Sequence, residues 1–358
     1  MESKPKKKIL LTGGGTLGSV VPLLAIRDYL GDEVKFFWIG SKNGVEKTIV
    51  IEAGLAIYEI SSGKLRRYWS LDNLLSPFSI IRGIIQSLKI IKAEQPDLMI
   101  TAGSFVSVPV AIACWFKKVP ILVHQLDYQA GLANRIMARL AKLVTVSFAK
   151  SLKDYPRLAK WVGLPVRTEL LDKTADLEII RKNFGLTKDE PVVLVLGGGT
   201  GALDLNAKVT DNLYNLTQIC QIIHLTGQGK FLKVTNNSHY HQKTFLSQAQ
   251  MAEAYKIADL VVSRAGMGTL AELAYLAKPA ILVPMPNSHQ ENNAKALQEA
   301  EAVIVLDQKK LSSLELYRQI KDLLADEPKM KKLGNNLQTT LKTDANKEIV
   351  KVIQDLIK

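Results

Sequence analysis

Two glycine-rich turns are the first candidates for chemistry. They read Thr12-Gly13-Gly14-Gly15-Thr16-Leu17-Gly18-Ser19 and Gly197-Gly198-Gly199-Thr200-Gly201-Ala202, each after a short apolar run and before a helix-length stretch. Both satisfy G-x-G-x-x-G/A, in which glycines let backbone N–H groups approach an anion at a helix N-terminus. A dinucleotide site also wants an acid about 20 residues on, at the end of the second strand. Here those strands run into Gly40-Ser41-Lys42 and Thr226-Gly227-Gln228-Gly229-Lys230, with no acid, and neither turn carries the Gly-Lys-Ser/Thr of a P-loop. NAD and ATP readings weaken, while an anion site remains open. Thr269-x-x-Glu272, ahead of an apolar run, has the form of a capping box. Arg167 is either a solvated linker charge or a guanidinium able to neutralise a diphosphate. Gln290 lies in a polar helix-entry stretch. His224, His239 and His241 have no metal-like partners, and no aspartate pair falls at D-x-D spacing, so no required metal or cofactor is expected.

The elements that would position these residues follow a βαβ pattern, with short apolar runs alternating with helix-length amphipathic stretches. Strands are expected at Lys8–Leu11, Val34–Ile39, Leu98–Thr101, Ile121–Val123 and Leu143–Val146. A second set is expected at Val192–Leu196, Gln221–Leu225, Leu260–Val262, Ala280–Val283 and Val303–Val305. Each half thus predicts its own Rossmann-like parallel sheet, opening alike with strand, glycine turn and helix. The stretch Trp161–Glu190, with Gly163 and Pro165, is the expected hinge, which divides the chain into domains 1–163 and 164–358. Two such domains would face each other across a cleft at the carboxyl ends of their strands.

The 358 residues, 47% hydrophobic and 23% charged, suit a two-domain globular chain and exclude a disordered, collagen-like or coiled-coil one. Two cysteines, Cys114 and Cys220, cannot build a disulfide framework, which points to an intracellular setting. The uncharged run Leu98–Phe116 is interrupted by Gly103, Ser104 and Pro109, so a strand, loop and helix are expected rather than a membrane span. The formal charge of +13 favours anionic partners. Nucleic acid is not the expected one, because no recognition motif or aromatic-basic stacking stretch occurs. Lys64–Lys92 instead interleaves Arg66, Arg67, Arg82, Lys89 and Lys92 with Trp69, Phe78 and several Leu and Ile. Within it Ile81, Ile84, Ile85 and Leu88 make one helical face, either core-facing or resting on an anionic membrane.

In order and spacing these segments resemble the MurG glycosyltransferases. The first loop running into Val20-Val21-Pro22, then Ala102–Pro109, His124-Gln125-Leu126-Asp127 with Gly131-Leu132-Ala133-Asn134, and Gly163–Arg167 carry the resemblance. So do the second loop, Arg264–Glu272 and His289-Gln290. The likeness covers about residues 8–305. It implies a GT-B fold, α/β, with an acceptor-binding, membrane-facing N-terminal domain and a C-terminal domain holding UDP-GlcNAc. It implies inverting transfer of N-acetylglucosamine to the undecaprenyl-linked muramyl-pentapeptide, lipid I, at the cytoplasmic face of the cell membrane by a peripheral protein. Position by position, Thr16, Leu17 and Gly18 would contact substrate, and Asp127 would stand where the family has an Asn. Arg167, Gly199, Met267, Gly268, Thr269, Leu270, Ala271, Glu272 and Gln290 would line the donor site, with Glu272 gripping the ribose hydroxyls.

Three departures touch the catalytic side. The family's Gly-Gly-His becomes Leu17-Gly18-Ser19, and a serine hydroxyl is too weak to act alone as a base. His-Glu-Gln-Asn becomes His124-Gln125-Leu126-Asp127, which loses one carboxylate and gains another two residues later. Gly199 replaces a Ser. Asp127 or His124 would then serve as base. The alternatives are a related transferase with another lipid acceptor, a UDP-GlcNAc 2-epimerase, or a UDP-sugar-binding protein without turnover.

Overall fold

The computed structural model describes residues 6–15, 17–42, 44, 46–63, 71–156, 158–171, 176–187, 189–198, 202–232 and 237–358; at 17, 32 and 71–77 it describes the backbone alone. The chain forms two α/β units. Among the described residues, the first unit has seven parallel strands: β1 (Lys8–Thr12), β2 (Lys35–Ser41), β3 (Ala56–Ile60), β4 (Leu98–Thr101), β5 (Ile121–Gln125), β6 (Leu143–Val146) and β7 (Ala159–Trp161). Their order is β3-β2-β1-β4-β5-β6-β7. The second unit has β8 (Val192–Leu196), β9 (Gln221–Leu225), β10 (Tyr240–Lys243), β11 (Leu260–Ser263), β12 (Ala280–Leu282) and β13 (Ile304–Val305), ordered β10-β9-β8-β11-β12-β13. The inner strands β1, β4, β5, β8 and β11 are buried along nearly their whole length, as strands with helices on both faces must be.

In each sheet the winding direction reverses once, between β1 and β4 and between β8 and β11. Those are the topological switch points at which doubly wound sheets hold ligands. The glycine turn after β1 sits at the first switch point and the one after β8 at the second.

The expected division at 163/164 shifts. The first unit runs on to Arg167 and recovers Asp344–Lys358, while the second is Thr168–Thr343. The cause is in the last helix, Ala345–Leu356. Asn346, almost buried, brackets the Val166 peptide: the Val166 N–H donates to its Oδ1 at 2.8 Å, and its Nδ2 donates to the Val166 carbonyl at 2.8 Å. Lys160 and Glu348 add an ion pair at 3.3 Å, and the helix also lies against Val21–Leu30.

Leu98–Phe116 resolves into β4, a loop and the helix Ser107–Phe116, and among the described residues no helix is long and apolar enough to cross a membrane. The helix Leu71–Glu94 turns its faces differently from a core-facing reading of Ile81, Ile84, Ile85 and Leu88. Ile81 and Ile85 are more than half exposed, as is Phe78. The inward stripe is Gly83, Ser87 and Ile91, where the missing side chain of Gly83 lets the helix close on Pro109 and the Ser61 carbonyl.

Candidate active site

In the second unit the loops after β8, β11 and β12 leave the same sheet edge side by side. The helix Met267–Tyr275 begins directly after β11, with Gly266 as its N-cap and no side-chain cap. Its first-turn N–H groups therefore lack an intrahelical acceptor and, among the described residues, a capping side chain, which makes that end attractive to an oxyanion. This start also removes the capping-box reading of Thr269-x-x-Glu272. Thr269 is the third helical residue, not the N-cap, and Glu272 lies in the second turn, 4% exposed. Met267, Leu270 and Ala271 are buried, whereas Gly268 and Thr269 are half-buried on the open side.

Arg264, which the sequence placed only in a motif, proves to be structural. Its Nη1 donates to the carbonyls of Val283 (2.8 Å) and Pro284 (3.2 Å), fastening the loop after β11 to the loop after β12. Burial lowers its pKa from the usual value, and Asp204 opposes the shift. Asn293, fully buried, adds a bond from Nδ2 to the Ala265 carbonyl at 3.4 Å. Gln290 stands at the start of the helix His289–Glu299. Its Oε1 accepts from the Met285 N–H at 3.0 Å, so the loop bond claims its oxygen while its amide nitrogen carries the donors. Gly198 turns with φ of +77° at the end of β8; Gly199 lies outside the described residues.

In the first unit Thr16 lies outside the described residues, and Leu17–Ser19 form a 3-10 turn with Gly18 exposed. Ser19 is buried and its hydroxyl donates to the Gly14 carbonyl at 3.5 Å, a bond internal to the loop. The other expected contacts gather after β4 and β5. Gln125 is 1% exposed, and its amide is fully used: Nε2 donates to the carbonyls of Asp127 (2.8 Å) and Gln129 (3.2 Å), while Oε1 accepts from Asn134 Nδ2 (2.6 Å) and the Tyr155 hydroxyl (3.1 Å). A Cβ at Gly103 would stand 2.7 Å from Asn134 Oδ1, so the second glycine loop needs glycine to lie against this cluster. Asp127 is thus a half-buried carboxylate on a bend whose backbone Gln125 holds.

His124 does not fit the role of base. It is fully buried within β5, its Nδ1 is 2.9 Å from the Thr145 hydroxyl, and burial lowers its pKa to about 3. A group closed off from solvent, and made so weak a base by its burial, cannot collect a proton from an incoming hydroxyl. Arg167 is the last residue of the first unit, half-buried, directly after the peptide that Asn346 clamps. Among the described residues no three His, Cys, Asp or Glu side chains gather as a metal site. Sequence reading missed Gln125's network, Asn346 and Glu46. The first follows from a polar residue inside a strand; the other two depend on tertiary approach and leave no local pattern.

Residues 9–146 match the glycosyltransferase family 28 N-terminal domain and residues 192–351 its C-terminal domain. The chain is 37% identical to the UDP-N-acetylglucosamine--N-acetylmuramyl-(pentapeptide) pyrophosphoryl-undecaprenol N-acetylglucosamine transferase of Lachnospira eligens, covering 98% of this chain and 99% of that one. It is 37% identical to the enzyme of the same name from Clostridium tetani, over 86% and 87%. Among solved structures it resembles MurG of Acinetobacter baumannii, with TM-score 0.73 and 24% identity over 98% and 99% of the two chains. It also resembles UDP-GlcNAc 2-epimerase of Neisseria meningitidis, with TM-score 0.67 and 12% identity over 97% and 100%. At those identities the structural likeness shows the shared GT-B fold.

Proposed function

We propose, from the premise that this chain belongs to the MurG family of glycosyltransferases, that it moves N-acetylglucosamine from UDP-GlcNAc to lipid I and so makes lipid II for peptidoglycan. The observation that carries the donor half is the uncapped helix start at Gly266–Met267, set beside the glycine turn of β8 at a switch point. Its first-turn N–H groups take the diphosphate, so that negative charge growing on the departing UDP meets fixed donors. Glu272 accepts from the ribose hydroxyls, and Gln290 donates to the sugar through its amide nitrogen. Arg264 and Asn293 keep the two loops in register.

The acceptor half lies on the first unit, along Leu17, Gly18 and the cluster around Gln125. Asp127 takes the proton from the acceptor hydroxyl as its oxygen attacks the anomeric carbon, and one displacement inverts the configuration. A carboxylate is suited to this because its bend is held by a fully bonded amide. The helix N–H groups supply the charge that a metal would otherwise bring, so the reaction needs no metal or other cofactor.

The protein works on the cytoplasmic membrane face as a peripheral enzyme. The exposed Phe78, Ile81 and Ile85 alternate with exposed Arg82, Lys89 and Lys92 on the helix Leu71–Glu94. The exposed pair Trp115 and Phe116 ends the helix Ser107–Phe116, with Lys117 and Lys118 next in the chain. Apolar side chains with adjoining cations are what an anionic lipid surface binds. Residues 64–70 of the expected patch lie outside the described residues.

The test is UDP release from UDP-GlcNAc, with EDTA present, with and without a short-chain lipid I analogue. Release that needs the analogue supports the reading. Release without an acceptor means hydrolysis of the donor, and conversion of UDP-GlcNAc to its C2 epimer without an acceptor means an epimerase. No release despite donor binding means a different acceptor or a binding protein.

A further inference from the structure

The first glycine loop is held by a carboxylate that no motif announces. Glu46, the first residue of the helix Glu46–Glu52, is completely buried. Its Oε1 accepts from the Ser41 N–H at 2.8 Å and the Ser41 hydroxyl at 2.7 Å; its Oε2 accepts from the Gly15 N–H at 3.2 Å. The carboxylate therefore ties the end of β2 to the turn after β1. Three glycines make room for it. A Cβ at Gly14 or Gly44 would collide with the carboxylate, and one at Gly40 would stand 3.2 Å from Oε1. Two of the loop's carbonyls are engaged as well: the indole N–H of Trp38 donates to the Gly13 carbonyl at 3.2 Å, and the Ser19 hydroxyl to the Gly14 carbonyl.

In a phosphate-binding turn the N–H of the third glycine would point at the anion. In this chain it points at Glu46, so the glycines serve close packing on a carboxylate and the amide is not offered to a phosphate. We propose that Glu46 is the positioning residue of the acceptor side, fixing Gly13–Ser19 so that Leu17 and Gly18 meet the acceptor. This rests on the transferase reading above.

Glu46→Gln separates the role from general stability. If the new amide keeps its oxygen on Ser41, its nitrogen faces the Gly15 N–H, donor against donor, and only the loop bond is lost. Ser41→Ala is the comparator, because it deletes a bond to the same carboxylate and leaves the loop tied. Expected for Glu46→Gln is a ten- to hundredfold fall in kcat/KM for the lipid I analogue, a UDP-GlcNAc KM within twofold of wild type, and faster amide exchange across Gly13–Ser19. Ser41→Ala should match wild type in all three. Equal acceptor kinetics for the two variants, or a donor KM that rises as far as the acceptor's, would overturn the positioning role. A wild-type protein that transfers nothing to the analogue would overturn the transferase reading itself, and the acceptor role of Glu46 with it.

Discussion

Gln125→Glu changes one NH2 to an oxygen and leaves the size of the side chain almost untouched, yet the cluster around it reverses sign. At present two N–H groups meet the carbonyls of Asp127 and Gln129, and one oxygen takes Asn134 and Tyr155. A carboxylate can keep the latter two and has nothing to give the former. Two carbonyls then face an oxygen; both bonds are only part-buried and Gln129 is exposed, so each orphaned group costs about 1 kcal/mol and the loss at neutral pH is about 2 kcal/mol. For a unit of this size that is a fall in Tm of about 4–8 °C. The new carboxyl responds by raising its pKa above the unfolded value of about 4.3. Once protonated it regains one donor for one carbonyl. A raised folded pKa means the protonated form's contribution is present below about pH 4.3 and is lost as pH rises through the folded value. The gap between variant and wild type should therefore narrow on acidification. Thermal melts of both proteins from pH 7.5 to 5 read this directly. A variant melting within about 2 °C of wild type at pH 7.5, or a gap that widens in acid, would refute the bonding scheme.

In the wild type, His124 and His224 are buried and neutral, with pKa values lowered by burial to about 3 and about 4. Their contribution is complete above the unfolded value of about 6.5 and is lost as pH falls towards the folded values. Urea unfolding between pH 6 and 4.5 should lose roughly 2–3 kcal/mol per pH unit from this pair, and His224→Gln should about halve that slope. Asp127→Asn should lower turnover by about 10²–10⁴ with donor binding intact, and full turnover would exclude Asp127 as base. Ile81→Asp with Ile85→Asp should abolish sedimentation with anionic vesicles and lower Tm only slightly, since both side chains are more than half exposed; unchanged sedimentation would remove the membrane role from that helix.

Each strand expected from the sequence exists, and the three that were missed share a cause. β3, β7 and β10 lie towards or at the margins of their sheets. Interior parallel strands are buried on both faces and read as unbroken apolar runs, whereas Ala56–Ile60, Ala159–Trp161 and Tyr240–Lys243 are half-exposed and mixed in composition. The glycine turns were legible because their chemistry is local. Glu46 was not, because its bond to Gly15 spans 31 residues and exists only after β1 and β2 pair. His124 looked reactive by residue type alone. Its place within β5, in register with Thr145, decides against that.

The return of Asp344–Lys358 to the first unit has a bearing on how the protein is made. At synthesis rates of about 5–20 residues per second, roughly 10–35 s pass between the emergence of Val166 and that of Asn346. Through that interval the nascent first unit lacks the side chain that answers the Val166 peptide and the helix that covers Val21–Leu30. The second unit, an unbroken stretch from Thr168 to Thr343, is finished earlier. Vectorial folding from the N-terminus is thus inverted here. The unit begun first is closed last, and it is the one exposed to chaperones and proteases while the ribosome is still at work.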